Sequence, residues 1–385
     1  VAGSVSLDPA LVERVRRRVG ATGGAPTASR VAAALREEGG GLCGDVTAVM
    51  TALADEIVGA GPLAPLLADP AVTDVLVNGP DEVWVDRGAG LVRCPVRFTD
   101  EAAVRRLAQR LAAPSGRRLD DAQPWVDARL ADGVRLHAVL PPLAPAGTCL
   151  SLRVPRRQVF SLPELVAAGT LPADGAGLLT RLVRARVPFV VTGGTGTGKT
   201  TLLSTLLSLV DPAERVVLVE DASELRPSTP HVVRLEARPP NVEGAGEVTL
   251  RDLVRQALRM RPDRLVIGEC RGPEVVDLLA ALNTGHEGGC GTLHANSASD
   301  VPARFEALAG TAGLGREGLH SQLASAVRVA VHLDRQGGQR RVAEVCLLVR
   351  GPGGLVEARA AWCWDGRAAA GAEGSAWPQL AALLG

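Results

Sequence analysis

Eight residues, Gly193-Gly194-Thr195-Gly196-Thr197-Gly198-Lys199-Thr200, fit the pattern GxxxxGK[ST] between the apolar run "FVVTG" and a helix-forming stretch. Glycines at this spacing let backbone N–H groups turn inward around phosphate oxygens, and the following helix adds the positive end of its dipole. Lys199 then meets the terminal phosphates, Thr200 holds Mg²⁺, and Thr201 completes the phosphate-binding segment. Lys199 is the sole lysine among 42 basic residues; the other 41 are arginine. The compact ammonium fits a concave nest of N–H groups that the broad, planar guanidinium does not.

A phosphate loop that hydrolyses needs acids to hold the metal–water shell and orient the attacking water. Two apolar runs end in them: "RVVLVE" in Glu220 and Asp221, with Glu224 following, and "RLVIGE" in Glu269. Taken alone, such acids read more readily as helix caps on exposed loops than as site residues; ending a strand beside a phosphate loop reverses that preference. Gly268 stands where an Asp is usual, which leaves Glu269 to serve both metal water and attacking water. "NTGHEGGCGTLHANS" places His286 and His294 eight residues apart around a Gly-rich turn. Cys290 is the only nearby thiol and the spacing fits no common zinc pattern, so the pair reads as a sensor of the terminal phosphate rather than a zinc site.

The elements that must position these groups change character along the chain. Residues 1–45 read as a helical extension, with helices over 11–19 and 28–38, and a third helix is expected over 46–58. Residues 46–154 form an α+β region: "VTDVLV" and "EVWVD" flank the turn "NGPD" as a hairpin, Thr99 caps a helix to Ala112, and strands carry "GVRLHAVLPP" and "TCLSLRVP". Residues 155–163 read as a linker. Over 164–350, short apolar strands alternate with amphipathic helices at about 172–186, 199–209, 249–260 and 273–283, the signature of a parallel sheet covered on both faces. Three antiparallel strands close the pattern, and residues 351–385 are set apart as a tail. The expected fold is α/β: a RecA-like P-loop ATPase domain with a parallel-rich central sheet, preceded by a smaller α+β domain.

Composition narrows the alternatives. The 42 acidic residues balance the 42 basic ones, so no overall basic field for nucleic acid exists. With no Tyr, four Phe and five Trp, the core must be built from Leu, Val and Ala. Seven widely spaced cysteines without a CxxC pair argue for a reducing cytoplasm and against a disulfide framework. Neither a signal peptide nor an apolar run of membrane-spanning length is expected.

Six ordered blocks carry a resemblance: "VLVNGPDEVWVDR", "DGVRLHAVLPPLAPAGTCLSLR", "GGTGTGKTTLL", "VEDASEL", "RPPNVEGAGEVTLRDLVRQALRMRPDRLVIGECRGPE" and "NTGHEGGCGTLHANS". Over residues 46–345 the chain resembles the Tad/CpaF-type ATPases of the type II/type IV secretion superfamily. The resemblance implies an ATP- and Mg²⁺-dependent hydrolase in which Glu220 and Asp221 are Asp-box acids, Glu269 the Walker B glutamate, and His286 and His294 the His-box pair. It also implies that Arg135 and Arg153 are N-terminal-domain arginines that close over nucleotide phosphates, and that Arg271 follows the Walker B strand. Asn78, Asn241, Asn283 and Asn296 all fall inside these blocks. Family members form rings, commonly hexameric, docked on inner-membrane platform proteins and driving pilus assembly or export. A conjugative or effector-export ATPase of the type IV branch is the nearest alternative, a RecA-like nucleic-acid motor a more distant one, and a nucleotide-gated scaffold the non-enzymatic one.

The solitary lysine yields the first prediction. Lys199→Arg, although it preserves charge, is expected to abolish hydrolysis in a steady-state phosphate-release assay; near-wild-type turnover would refute the steric argument.

Overall fold

In a computed structural model of the chain, described here for residues 9–21, 27–38, 59–88, 90–130, 132–155, 159–241, 244–285 and 288–385, two compact units divide between Arg156 and Arg157. The helix expected over 46–58 lies outside the described residues, apart from none of the flanking strands.

The first unit holds helices Pro9–Ala21 and Ala28–Glu38 and a sheet of six described strands. These are β1 (Asp74–Asn78), β2 (Val83–Asp86), β3 (Leu91–Cys94), β4 (Trp125–Arg129), β5 (Arg135–Val139) and β6 (Cys149–Arg153), ordered β3-β2-β1-β6-β5-β4. The "NGPD" hairpin forms as expected, with β1 and β2 antiparallel. Strand β4 has no clear sequence signal, because its burial is irregular and the alternation is lost. Val75, Val77, Leu136, Leu150 and Leu152 face the core, where helix Glu101–Ala112 packs Val104, Leu107 and Leu111. The cap of that helix is Asp100, not Thr99: its carboxylate accepts the Ala103 N–H at 2.7 Å. An aspartate also meets the helix dipole with a full negative charge, which a hydroxyl does not.

The second unit is built on a nine-stranded sheet. Its strands are β7 (Phe189–Gly193), β8 (Val216–Glu220), β9 (Val232–Glu236), β10 (Arg264–Cys270), β11 (Cys290–Leu293), β12 (Val329–Gln336), β13 (Gln339–Arg350), β14 (Val356–Cys363) and β15 (Ala372–Glu373), ordered β15-β14-β13-β12-β7-β11-β10-β8-β9. From β12 to β9 all neighbours are parallel; beyond β12 the sheet turns antiparallel. Strands β7 and β8 are buried along their whole length, as runs of Val, Leu and Phe between two helical layers must be. Strand β9 is half exposed at the sheet edge and its apolar residues are interrupted by Arg234, so its sequence does not announce it.

Two boundaries differ from the sequence reading. The stretch read as a linker ends in structure: Ser161 and Glu164 form a capping box on helix Leu162–Ala167, which buries Leu162 and Leu165. The stretch read as a tail completes the sheet through β14 and β15, and helix Trp377–Leu384 inserts Leu380 and Leu384 into the core. Its signal is weak because Gly and Ala dominate the sequence around it.

At the edge where β10 begins, Arg264 is 2% exposed and donates from Nε to Glu214 at 2.6 Å and from Nη2 to the Val183 carbonyl at 2.9 Å. Arg186 reaches the same carboxylate at 3.3 Å. Removing one member of a buried pair strands the other charge. Arg264→Met is therefore expected to cost about 3–5 kcal/mol, read as a lower midpoint in chemical denaturation; an unchanged midpoint would contradict it.

Candidate active site

Because β7, β8, β10 and β11 run parallel, their carboxyl ends share one edge of the sheet. Each delivers one predicted group there: β7 the phosphate loop, β8 Glu220, β10 Glu269 and β11 His294. The loop leaves β7 through Gly193 at φ +146°, where an added Cβ would lie 2.4 Å from the Leu333 carbonyl oxygen of β12. No side chain is compatible with that approach, so β12 forms the wall behind the loop. Gly194 accepts the Thr197 hydroxyl at 2.9 Å, and Thr195 and Gly196 are exposed at the tip. Gly198, left-handed at φ +97°, turns the chain into helix Lys199–Leu207. Thr200 and Thr201 sit half-buried in its first turn, and the Thr201 carbonyl accepts the Thr205 hydroxyl.

Lys199 is 7% exposed, and its Nζ donates to the carbonyls of Gly193 at 3.0 Å and Gly194 at 2.8 Å. It also lies 3.4 Å from His294 Nδ1. Burial lowers its pKa, Glu269 opposes that shift and Arg271 adds to it. His294 Nε2 lies 2.6 Å from Glu269 Oε1. Arg271 donates to Glu269 Oε2 at 2.5 Å. Lys199, His294, Glu269 and Arg271 thus form one contiguous charged cluster.

The two glutamates are held in opposite electrostatic states. At Glu269, burial acts to raise the pKa, but the hydrogen bond and charge of Arg271, with His294 and Lys199, outweigh it and hold the carboxyl below its ordinary value. At Glu220, burial dominates and raises the pKa, although Oε1 accepts the N–H groups of Glu224 and Leu225, both at 2.9 Å. Glu220 Oε2 is buried without a partner. Asp221 is exposed at the same strand end, and its charge reaches Arg271.

Gly268 has a steric reason. A Cβ there would come within 2.7 Å of Glu220 Cγ, so the acid usual at this position has no room beside this Glu220. Thr292 ties β11 to the same strand end, donating to the Gly268 carbonyl at 2.6 Å. Gly291 backs onto the Ile267 carbonyl, 2.9 Å from where a Cβ would lie. Burial pushes the Cys290 thiol up to about 12, which leaves it a packing residue.

His286 lies outside the described residues. Strand β11 (Cys290–Leu293) leads directly into His294. Gly288, before that strand, lies against Arg264 and Arg186 at the edge opposite the phosphate loop. Two of the motif asparagines have structural partners: Asn241 accepts the Ala245 N–H within its own loop, and Asn283 donates to the Gln322 carbonyl of helix Arg316–Ala326.

In the first unit, Arg135 stands directly opposite Arg153, and Arg129 directly opposite Arg135. Arg153 Nε lies 3.3 Å from Asp74 Oδ1. Like charges facing each other across strands cost stability unless offset by other partners. Arg129 was not singled out by sequence, since only strand register reveals it. Sequence reading also missed Arg340 of β13, which donates to the Gly196 carbonyl at 2.8 Å, and His332 of β12, which lies 2.9 Å from Thr192 Oγ1. No motif marks either, because both come from strands far along the chain.

The donor set fits a nucleotide with a hydrated Mg²⁺. Glu220 Oε2 is a buried acceptor without a donor, and Glu269 belongs to a cluster that already includes a lysine and an arginine. The Glu220 shift fixes a sign. A folded-state pKa above the unfolded one contributes stability that is whole below about pH 4.3 and lost as pH rises through the folded value. Glu220→Gln is therefore expected to raise the nucleotide-free Tm at pH 8, with the gain vanishing near pH 4, while kcat falls. A lower Tm at pH 8 in calorimetry would contradict this.

Comparison with known proteins agrees with this geometry. The family described as "Type II/IV secretion system protein" matches residues 56–366. The chain is 59% identical over 328 residues to a putative conjugal transfer protein of Mycobacterium tuberculosis, covering 83% of this chain and 93% of that one. It is 31% identical to the type IV secretion system protein PtlH of Bordetella pertussis, covering 74% of this chain and 92% of the relative. Among solved structures it shares the fold of the pilus retraction motor PilT, at TM-score 0.53 and 20% identity, over 74% of this chain and 82% of that one. A RecA-like sheet whose carboxyl edge carries a phosphate loop, and a family match over most of the length, lead to one conclusion: the chain belongs to the type II/IV secretion system protein family and is a P-loop ATPase.

Proposed function

We propose that this protein is the ATP-driven motor of a Tad/Flp-type pilus-assembly or secretion machine, acting as a homo-oligomeric ring, hexameric by family resemblance, on the cytoplasmic side of a membrane platform. Among the described residues, no helix is long and apolar enough to cross a membrane, so docking is assigned to partner proteins. The observation that carries the hydrolytic reading is the contiguous cluster of Lys199, His294, Glu269 and Arg271 at one sheet edge.

Lys199 holds the place of phosphate by donating to the Gly193 and Gly194 carbonyls, and exchanges them for the terminal phosphates when ATP enters. Mg²⁺, when bound, neutralises phosphate charge; Thr200, Glu220, Asp221 and Glu269 are the residues proposed to hold it, partly through water. Glu269, kept ionised, polarises the attacking water. His294, between Lys199 and Glu269, senses whether the terminal phosphate is present. Arg271 keeps Glu269 ionised, and Glu220 organises the 221–225 loop through its two backbone bonds. Arg135 and Arg153 are proposed to supply further positive charge to phosphate in the assembled ring. The role of His286 rests on family resemblance alone.

A second reading, a type IV motor for conjugative or effector export, is favoured by the printed descriptions of the relatives in M. tuberculosis and B. pertussis. The chemistry is the same and the cargo differs. Deleting the gene in its host separates the two: loss of Flp-type pili supports the first, and loss of DNA or effector transfer with pili intact supports the second.

Glu269→Gln is expected to lower kcat at least about 100-fold while leaving ATP affinity nearly unchanged, because it removes the water-polarising charge and keeps the shape. Turnover at the wild-type rate would contradict the assignment. Specific activity should rise with protein concentration in step with mass; full activity in a monomer would exclude a role for arginines supplied by a neighbouring subunit.

A further inference from the structure

Beneath the phosphate loop lies a buried polar bridge that the hydrolytic cluster does not include. Thr192, the last residue before the loop's first glycine, is fully buried, and His332 is 5% exposed. They are register partners on the parallel strands β7 and β12, with Thr192 Oγ1 2.9 Å from His332 Nδ1. The imidazole also lies beside the backbone of Asn296, two residues beyond His294, whose influence favours the protonated ring. A backbone group that favours the protonated ring is a carbonyl, so the ring's N–H faces the Asn296 carbonyl. With Nδ1 occupied by Thr192, the donor is Nε2–H. In the neutral ring Nδ1 then accepts, and the Thr192 hydroxyl donates.

We infer that His332 is a positioning residue for hydrolysis, a two-ended brace that locks the loop bearing His294 to the stem of the phosphate loop. Three strands meet in this brace: β7 through Thr192, β11 through the segment after it, and β12 through His332 itself. The Thr192 bond is buried, where an unmade one is most costly. Burial, opposed by the charges of Glu344, Asp334 and Asp300 and by the Asn296 backbone, holds the His332 pKa below its ordinary value. The ring is therefore neutral near pH 7 and keeps the acceptor that Thr192 needs. Without the brace, His294 loses its fixed place 3.4 Å from Lys199 and 2.6 Å from Glu269, while the phosphate loop keeps its own donors. The loss should appear in turnover rather than in nucleotide binding.

This inference rests on the proposed role of His294, and the test separates the two. Thr192→Val preserves the side-chain shape and removes the hydroxyl; Thr192→Ser removes the methyl and keeps the hydroxyl. The brace predicts that Thr192→Val and His332→Phe each lower kcat about tenfold with ATP affinity within about twofold. It also predicts that Thr192→Ser stays near wild type, and that the Val/Phe double variant is no slower than the slower single one. A Thr192→Ser variant slower than Thr192→Val would mean that packing matters and the hydrogen bond does not. Wild-type turnover in Thr192→Val, or losses that multiply in the double variant, would likewise overturn the brace. His294→Ala serves as the control. If it turns over normally, the site reading fails; if it is impaired while Thr192→Val is not, the brace alone fails.

Discussion

Burying the ammonium of Lys199 is the constraint around which the rest of the ATPase edge is arranged. A positive charge at 7% exposure needs acceptors on every side, and it finds the Gly193 and Gly194 carbonyls, the His294 ring and the field of Glu269. Glu269 must then stay ionised, which burial alone would prevent, and Arg271 supplies the compensating charge. The cluster therefore keeps its charges only as a set. ATP replaces the loop's own carbonyls as the partner of the lysine, so binding rewires this network instead of filling an inert cavity.

The sheet makes that arrangement rigid. Four parallel strands end at the same edge, and the antiparallel strands β12 and β13 wall the phosphate loop from the other side. Leu333 presses its carbonyl against Gly193, His332 meets Thr192, and Arg340 reaches Gly196. Residues near position 340 thus govern the geometry of a loop near position 196. The segment after residue 350 adds to the same sheet and core, and so contributes to the stability of the wall.

The first unit poses a different electrostatic problem. Arg129, Arg135 and Arg153 occupy one row of its sheet, and Arg153 also pairs with Asp74. Like charges directly opposite each other across strands are unfavourable unless other groups offset them.

Much of this was legible in the sequence because it is encoded locally. The phosphate loop, the strands that end in Glu220 and Glu269, the β1–β2 hairpin and the alternation of helix with apolar strand all follow from spacing within a few residues. The solitary Lys199 was legible because no other cation has its shape. Other features were invisible for physical reasons. Strand β9 is an edge with mixed burial, the capping aspartate Asp100 adjoins an equally plausible Thr99, and the final helix hides among Gly and Ala. Tertiary structure alone decided which acid's pKa is raised and which lowered, because burial and the reach of Arg271 are properties of packing and not of order along the chain. It also decided why residue 268 is glycine, since the obstacle is the Glu220 side chain on the neighbouring strand. The sequence by itself determined which chemical groups the protein owns and the strand ends that carry them. Only the fold decided which of them touch, because contacts such as Thr192 with His332 join residues 140 positions apart.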